Sequence, residues 1–181
     1  MKSPVPVRES VLTDEVDLHG GPAAPRGGLA MRRKSQLLVA ILALAAAGMA
    51  TATYDFIARA LGVPLFCPFA GEGCDIVQSS PYAVLFGVPL AFLGILAFGA
   101  YLVLAGLALR SWSVARRVLG AMLVLNVLEV GFMAYFGYVQ VALIHAICSL
   151  CAFAAVLNVA IGVLTVWALS DRAINPAHIA R

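Results

Sequence analysis

From Val118 to Leu169 the chain carries no Lys and no Arg, and this stretch constrains the fold more than any other. A helix crosses the hydrocarbon core of a bilayer, roughly 30 Å thick, with about 20 mainly apolar residues. The run is too long for one crossing and must reverse. The polar residues Gln140 and His145, just ahead of Cys148, mark the place for the turn. Two further apolar runs, Leu37 to Phe56 and Tyr82 to Leu109, bring the expected number of spanning helices to four.

With 62% hydrophobic and 12% charged residues, the chain lies outside the range of soluble globular domains. Residues 1–34 are the exception, holding half of the Lys and Arg together with several Pro and Gly. Such a segment cannot bury enough apolar surface to offset its ordering entropy. Residues 1–34 are therefore expected to form a disordered cytoplasmic tail, 35–171 the membrane domain and 172–181 a second short tail. Met31, ahead of Arg32, Arg33 and Lys34, is an alternative start. The net charge of +3 is small and sits beside the apolar runs, a topology signal and not a nucleic-acid footprint.

Orientation follows from the basic residues. Arg32, Arg33 and Lys34 precede the first helix, Arg110, Arg116 and Arg117 separate the second from the third, and Arg172 follows the fourth. The other two connections hold only Arg59. By the positive-inside rule both termini are cytoplasmic and the loop between helices one and two is extracytoplasmic. The competing reading of helix one is a cleaved secretory signal, with a basic start and an Ala-rich end. Cleavage would leave three helices. Gly94, Gly99 and Gly106 are expected to let the second helix approach its neighbours closely.

All four cysteines fall at membrane boundaries on the outer side. Cys67 and Cys74 bracket Cys-Pro-Phe-Ala-Gly-Glu-Gly-Cys, where Pro68, Gly71 and Gly73 let the loop bend. Cys148 and Cys151 open the last helix as Cys-Ser-Leu-Cys. Unsatisfied N–H groups and the helix dipole favour a thiolate there. In a compartment that permits disulfides, two such pairs point to thiol–disulfide exchange, with the loop carrying Cys74 to Cys148. The same residues also admit inert bridges, a four-thiolate zinc site, or small buried hydrophobes. The exchange reading is adopted, without a metal.

The surrounding motifs run in a distinctive order. After the loop come Cys74-Asp-Ile-Val-Gln-Ser-Ser-Pro-Tyr-Ala and Leu85-Phe-Gly-Val-Pro-Leu-Ala-Phe-Leu-Gly94, and later Tyr135-Phe-Gly-Tyr-Val-Gln140 and His145-Ala-Ile-Cys-Ser-Leu-Cys151. This order closely resembles the vitamin K epoxide reductase family, in particular its bacterial members, over roughly Leu37 to Leu169. The resemblance implies an all-α, integral membrane four-helix bundle around a quinone of the menaquinone, ubiquinone or vitamin K type. Electrons would pass from a thioredoxin-fold partner to the loop pair, then to the helix-four pair, then to the quinone. Cys67 would exchange with the partner, Cys74 would relay to Cys148, and Cys151 would lie nearest the quinone. Ser80 corresponds to the family's loop serine, which tethers the segment over the site; Ser80 followed by Pro81 also reads as a helix N-cap and first turn.

Two departures shape what is carried over. Many bacterial relatives have a fused thioredoxin-like domain, whereas this chain ends at Arg181, so the partner is expected to be a separate thiol oxidase. Animal relatives place a tyrosine four residues beyond the Cys-x-x-Cys, where this chain has Ala155. Tyr135, Tyr138 and Gln140 are candidate quinone contacts, although tyrosines also populate interfacial belts. Glu129 sits mid-helix, where a charged residue costs roughly 3 kcal/mol to insert. It is a candidate proton-handling group, or a hydrogen-bonded companion of Asn126. His145 could accept a proton during thiol chemistry or simply occupy the turn. The expected function is quinone-dependent reoxidation of an extracytoplasmic thiol oxidase at the bacterial inner membrane. Reduction of vitamin K quinone or epoxide is the neighbouring reading, and a non-catalytic scaffold with structural cysteines is the rival from another class.

Overall fold

The computed structural model describes residues 26–170, so most of the first expected tail and residues 171–181 lie outside the described residues. Within them, four helices are long and apolar enough to span a membrane: Arg32–Leu61, Leu90–Arg110, Ser113–Ile144 and Ser149–Ser170. The chain is an all-α, multi-pass membrane protein.

Helix α1 (Arg26–Leu61) outruns the expected Leu37–Phe56 at both ends. Residues 26–34, assigned above to the tail, are helical. No proline interrupts the segment, and it stops where Gly62 adopts φ +65°. There the Gly62 N–H bonds to the Arg59 carbonyl at 3.2 Å and the Val63 N–H to the Ala58 carbonyl at 3.1 Å. This paired bonding is the Schellman cap, which a left-handed glycine permits.

The second spanning helix is shorter than expected. A short helix α2 (Gly73–Ser79) and a 3-10 turn (Pro81–Ala83) are followed by strand β1 (Val84–Leu85), paired antiparallel with β2 (Val88–Pro89). Phe86 and Gly87 between them take φ of 51° and 85°. A two-residue hairpin with both central residues at positive φ ends any helix through Tyr82. Helix α3 (Leu90–Arg110) begins only after Pro89.

Helix α4 (Trp112–Val139) runs into a π-helical turn (Gln140–Ile144), His145 takes a left-handed φ of 58°, and α5 (Ser149–Ser170) returns. The reversal falls where Gln140 and His145 suggested. Helix α1 packs on α3 and α5, and α4 packs on α5 and α3.

Leu38, Ile41, Phe98, Leu119, Met122 and Ile161 fill the core, interleaved with alanines such as Ala45 and Ala105. Small residues let membrane helices gain dispersion contacts where no hydrophobic driving force separates lipid from leucine. A Cβ at Gly48 would overlap the Phe98 ring, and one at Gly94 would meet Ala52 Cβ at 3.2 Å. Gly99 and Gly106 face open space instead of a neighbouring helix, contrary to expectation. Val124, Val127 and Leu128 are exposed, as suits lipid, while Asn126, Asn158 and Thr165 are buried.

Candidate functional site

Both cysteine pairs lie at one end of the bundle. Cys67 and Cys74 form a disulfide, while Cys148 and Cys151 are free thiols. The loop is pinned to α1 and α2 by its own backbone: Leu65 N–H donates to Asp75 Oδ1 at 3.0 Å and Phe66 N–H to Tyr54 Oη at 3.0 Å. Arg59, in the last turn of α1, donates to the Gln78 carbonyl at the far end of α2. Gly73 lies so close to the Ile147 carbonyl that a Cβ would overlap it. That approach sets Cys74 against the turn leading into Cys148. Cys74 and Cys148 are both fully buried and share one cluster with Cys67, Ala58, Leu65 and Val77. The hydroxyl of Ser149, the residue after Cys148, reaches the loop pair, 3.2 Å from Cys67 Sγ and 3.8 Å from Cys74 Sγ.

Cys148 occupies the N-cap of α5. Its carbonyl accepts from Ala152 N–H at 3.0 Å, and its sulfur accepts from Cys151 N–H at 3.2 Å. The sulfur thus stands where a capping oxygen would, facing the orphan N–H groups of the first turn. The Cys151 thiol, hydrogen-bonded to this sulfur, draws the Cys148 thiol below its ordinary pKa; burial works in the opposite direction and is outweighed.

A cavity of about 520 Å³ opens beside this thiol pair, within the range that holds small ligands. All four spanning helices line it, and Cys148 and Cys151 form part of its wall while Cys67 and Cys74 do not. The remaining wall is mainly apolar, including Phe98, Phe132 and Phe136, with polar groups at Thr51, Asp55, Gln78, Gln140 and Glu129. Gln78 Nε2 donates to Asp55 Oδ2, and the buried Asp55 Oδ1 has no partner among the described residues. Deeper in, Tyr101 Oη donates to Glu129 Oε2 at 2.9 Å, Asn158 Nδ2 donates to the same oxygen, and the buried Glu129 Oε1 has no partner among the described residues.

The fold therefore brings Cys148, Cys151, Gln140 and Glu129 to one cavity, with Cys67 and Cys74 adjoining. Tyr135 and Tyr138 are 62% and 65% exposed on the outer face of α4 and do not reach the cavity. His145 is exposed in the turn. Ser80 precedes the 3-10 turn without capping it; its hydroxyl donates back to the Val77 carbonyl at 2.7 Å. Three site residues escaped the sequence reading: Ser149, Asp55 and Gln78. An acidic residue near the end of an otherwise apolar helix was the available signal for Asp55. Nothing local distinguishes Gln78.

A membrane helix bundle that seats a dithiol between a disulfide loop and an apolar cavity defines the class of membrane thiol oxidoreductases. Residues 36–166 match the vitamin K epoxide reductase family. The chain belongs to that family.

Proposed function

We propose that the protein is a quinone-dependent disulfide-forming enzyme of the cell membrane, reoxidising a thioredoxin-fold partner on the extracytoplasmic side. One observation carries the reading: Cys148 is shared, packed in the cluster of the loop disulfide and also forming the wall of the cavity. Electrons entering at Cys67–Cys74 have a short route to a sulfur that faces the ligand space.

The cavity suits a quinone ring. Its wall is mostly apolar, and the buried oxygens of Asp55 and Glu129 that have no partner among the described residues belong to residues that line it. Asp55, Gln78, Gln140 and Glu129 would hold the polar edge of the ring, with the phenylalanines against its faces. A bound quinone supplies a two-electron, two-proton acceptor.

The chain's own residues do the rest. The partner's dithiol reduces Cys67–Cys74, with Cys67 as the exchanging sulfur, and leaves oxidised. Cys74 then attacks a Cys148–Cys151 disulfide at Cys148, forming a mixed Cys74–Cys148 bond and releasing Cys151. Attack by Cys67 on Cys74 restores the loop disulfide and leaves Cys148–Cys151 reduced, the arrangement described above. The capping N–H groups of α5 stabilise Cys148 as leaving thiolate. Ser80, bonded to Val77, would hold the end of α2 over the junction.

This topology keeps both termini and residues 1–34 cytoplasmic and the cysteines outside, as the distribution of Arg and Lys suggests. The test is capture of a Cys74–Cys148 mixed disulfide in the C67A/C151A protein, and oxidation of a reduced thioredoxin-fold oxidase by the wild-type chain only when quinone is supplied. Absence of both would sink the reading.

A further inference from the structure

The buried polar cluster deep in the bundle has an arrangement that hydrophobic packing does not call for. Tyr101 of α3, Asn126 and Glu129 of α4 and Asn158 of α5 join three helices through side-chain hydrogen bonds. Asn126 Nδ2 donates to Asn158 Oδ1 at 2.7 Å and to the Asn158 carbonyl at 2.8 Å. With its oxygen so engaged, the Asn158 amide turns its NH2 toward Glu129. Gly162 leaves room for this: a Cβ there would overlap Asn126 Oδ1. Glu129 is the member of the cluster that lines the cavity.

Hydrogen-bond accounting favours one place for the proton. An ionised carboxylate at this depth is costly without a compensating charge, and the groups bonded to Glu129 are the neutral Tyr101 and Asn158. The neutral acid has one oxygen that only accepts and one that carries O–H. An O–H on Oε1 keeps both bonds that reach Oε2, and Oε1 is buried with no partner among the described residues. The cluster thus holds a carboxylic acid with a buried, unused donor on a residue that lines the ligand space. Asn158 lies seven residues beyond Cys151, two helical turns and about 10 Å along the axis at 1.5 Å per residue. The acid is therefore at the end of the cavity remote from the sulfurs.

We infer that Glu129 is a catalytic acid that protonates the inner carbonyl oxygen of the bound quinone, with Asn158 and Asn126 as its positioning residues. The inference rests on the quinone reading above. The Cys148–Cys151 dithiol loses two electrons and two protons and becomes a disulfide. The electrons and two protons appear on the quinol. Glu129 gives its proton to the inner oxygen and regains one from the thiol pair, so it ends unchanged.

The test uses the full chain in lipid nanodiscs with menadione as the quinone. In wild-type protein the infrared carbonyl band of a protonated carboxylic acid, assigned by heavy-carbon labelling of glutamate, is expected to shift when menadione binds. In E129Q that band is lost, menadione still binds, exchange between the cysteine pairs is retained, and dithiol oxidation by menadione slows by about 100-fold, the scale of general acid catalysis. E129D restores part of the rate. An unshifted or absent band in wild type, which needs no variant to fold, overturns the proposal, as does a wild-type rate in E129Q. Failure of wild-type protein to bind menadione removes the quinone reading itself, and this inference with it.

Discussion

The amide of Cys148 donates to the side-chain oxygen of Gln140 at 2.8 Å, across the whole reversal between α4 and α5. One buried glutamine thereby fixes the position of the sulfur that both the loop and the cavity use. Replacing it with leucine leaves the Cys148 N–H buried and unpaired, which costs about 1–3 kcal/mol. Q140L should unfold at lower temperature in detergent, and its Cys148 should exchange more slowly with Cys74. A conservative Q140E keeps an acceptor and should retain most of the exchange rate. Stopped-flow exchange with thermal melts on the same samples checks both.

The contact between Gly73 and the Ile147 carbonyl makes the loop an extension of the Cys-x-x-Cys turn. G73A must push α2 away from Cys148. A displacement of about 1 Å at a reacting pair can reduce rate by 100-fold. The expected outcome is slow formation of the Cys74–Cys148 mixed disulfide in a G73A/C67A/C151A chain, with Cys67–Cys74 still forming in G73A alone. Mass spectrometry of quenched samples distinguishes the two bonds.

How much of this was legible beforehand depended on range. Apolar length and the placement of arginines carried the four spans, and the polar Gln140 and His145 located the reversal because a spanning run cannot continue past its hydrocarbon length. Apolar length alone runs the second span through Tyr82, whereas Gly87 and Pro89 are turn chemistry and Phe86–Gly87 form a hairpin. Helical phase also contained more than was used. Gln140 follows Glu129 by eleven residues, close to three full turns, so the two share a stripe, while Tyr135 and Tyr138 fall near the opposite face. Sequence alone does not say which stripe faces inward. Contacts such as Asp55 with Gln78 and Ser149 with Cys67 join residues brought together only by the loop and the reversal.

Gly162 is another residue whose importance lies in what it makes room for. G162A forces Asn126 from its place, and overpacking of this kind costs about 1–3 kcal/mol. Because Asn126 orients Asn158 toward Glu129, the variant should also move the glutamic acid carbonyl band in the infrared spectrum. N126A removes the same link without a clash and should also move the band.

The last prediction concerns pH. The hydrogen bond from the Cys151 thiol, together with the N–H groups of the helix start, holds the Cys148 thiol below the ordinary cysteine value of about 8.5. Thiolate therefore persists at Cys148 to lower pH than in a free cysteine. Alkylation of Cys148, followed by mass spectrometry with the loop pair kept oxidised, should reach its plateau below that pH. C151A removes the thiol donor and should move the midpoint upward, whereas C151S keeps a hydroxyl donor and should fall between. The same shift has a consequence for folding. Since the folded-state value is the lower one, the stabilisation is complete above the unfolded thiol's pKa and is lost as pH falls through the folded value. Reduced wild-type protein should accordingly gain melting temperature relative to C148A as pH rises toward 8.5 or so, the ordinary thiol value. Parallel melts of the two chains across that interval measure it, and a constant difference between them would remove the thiolate from the account of Cys148.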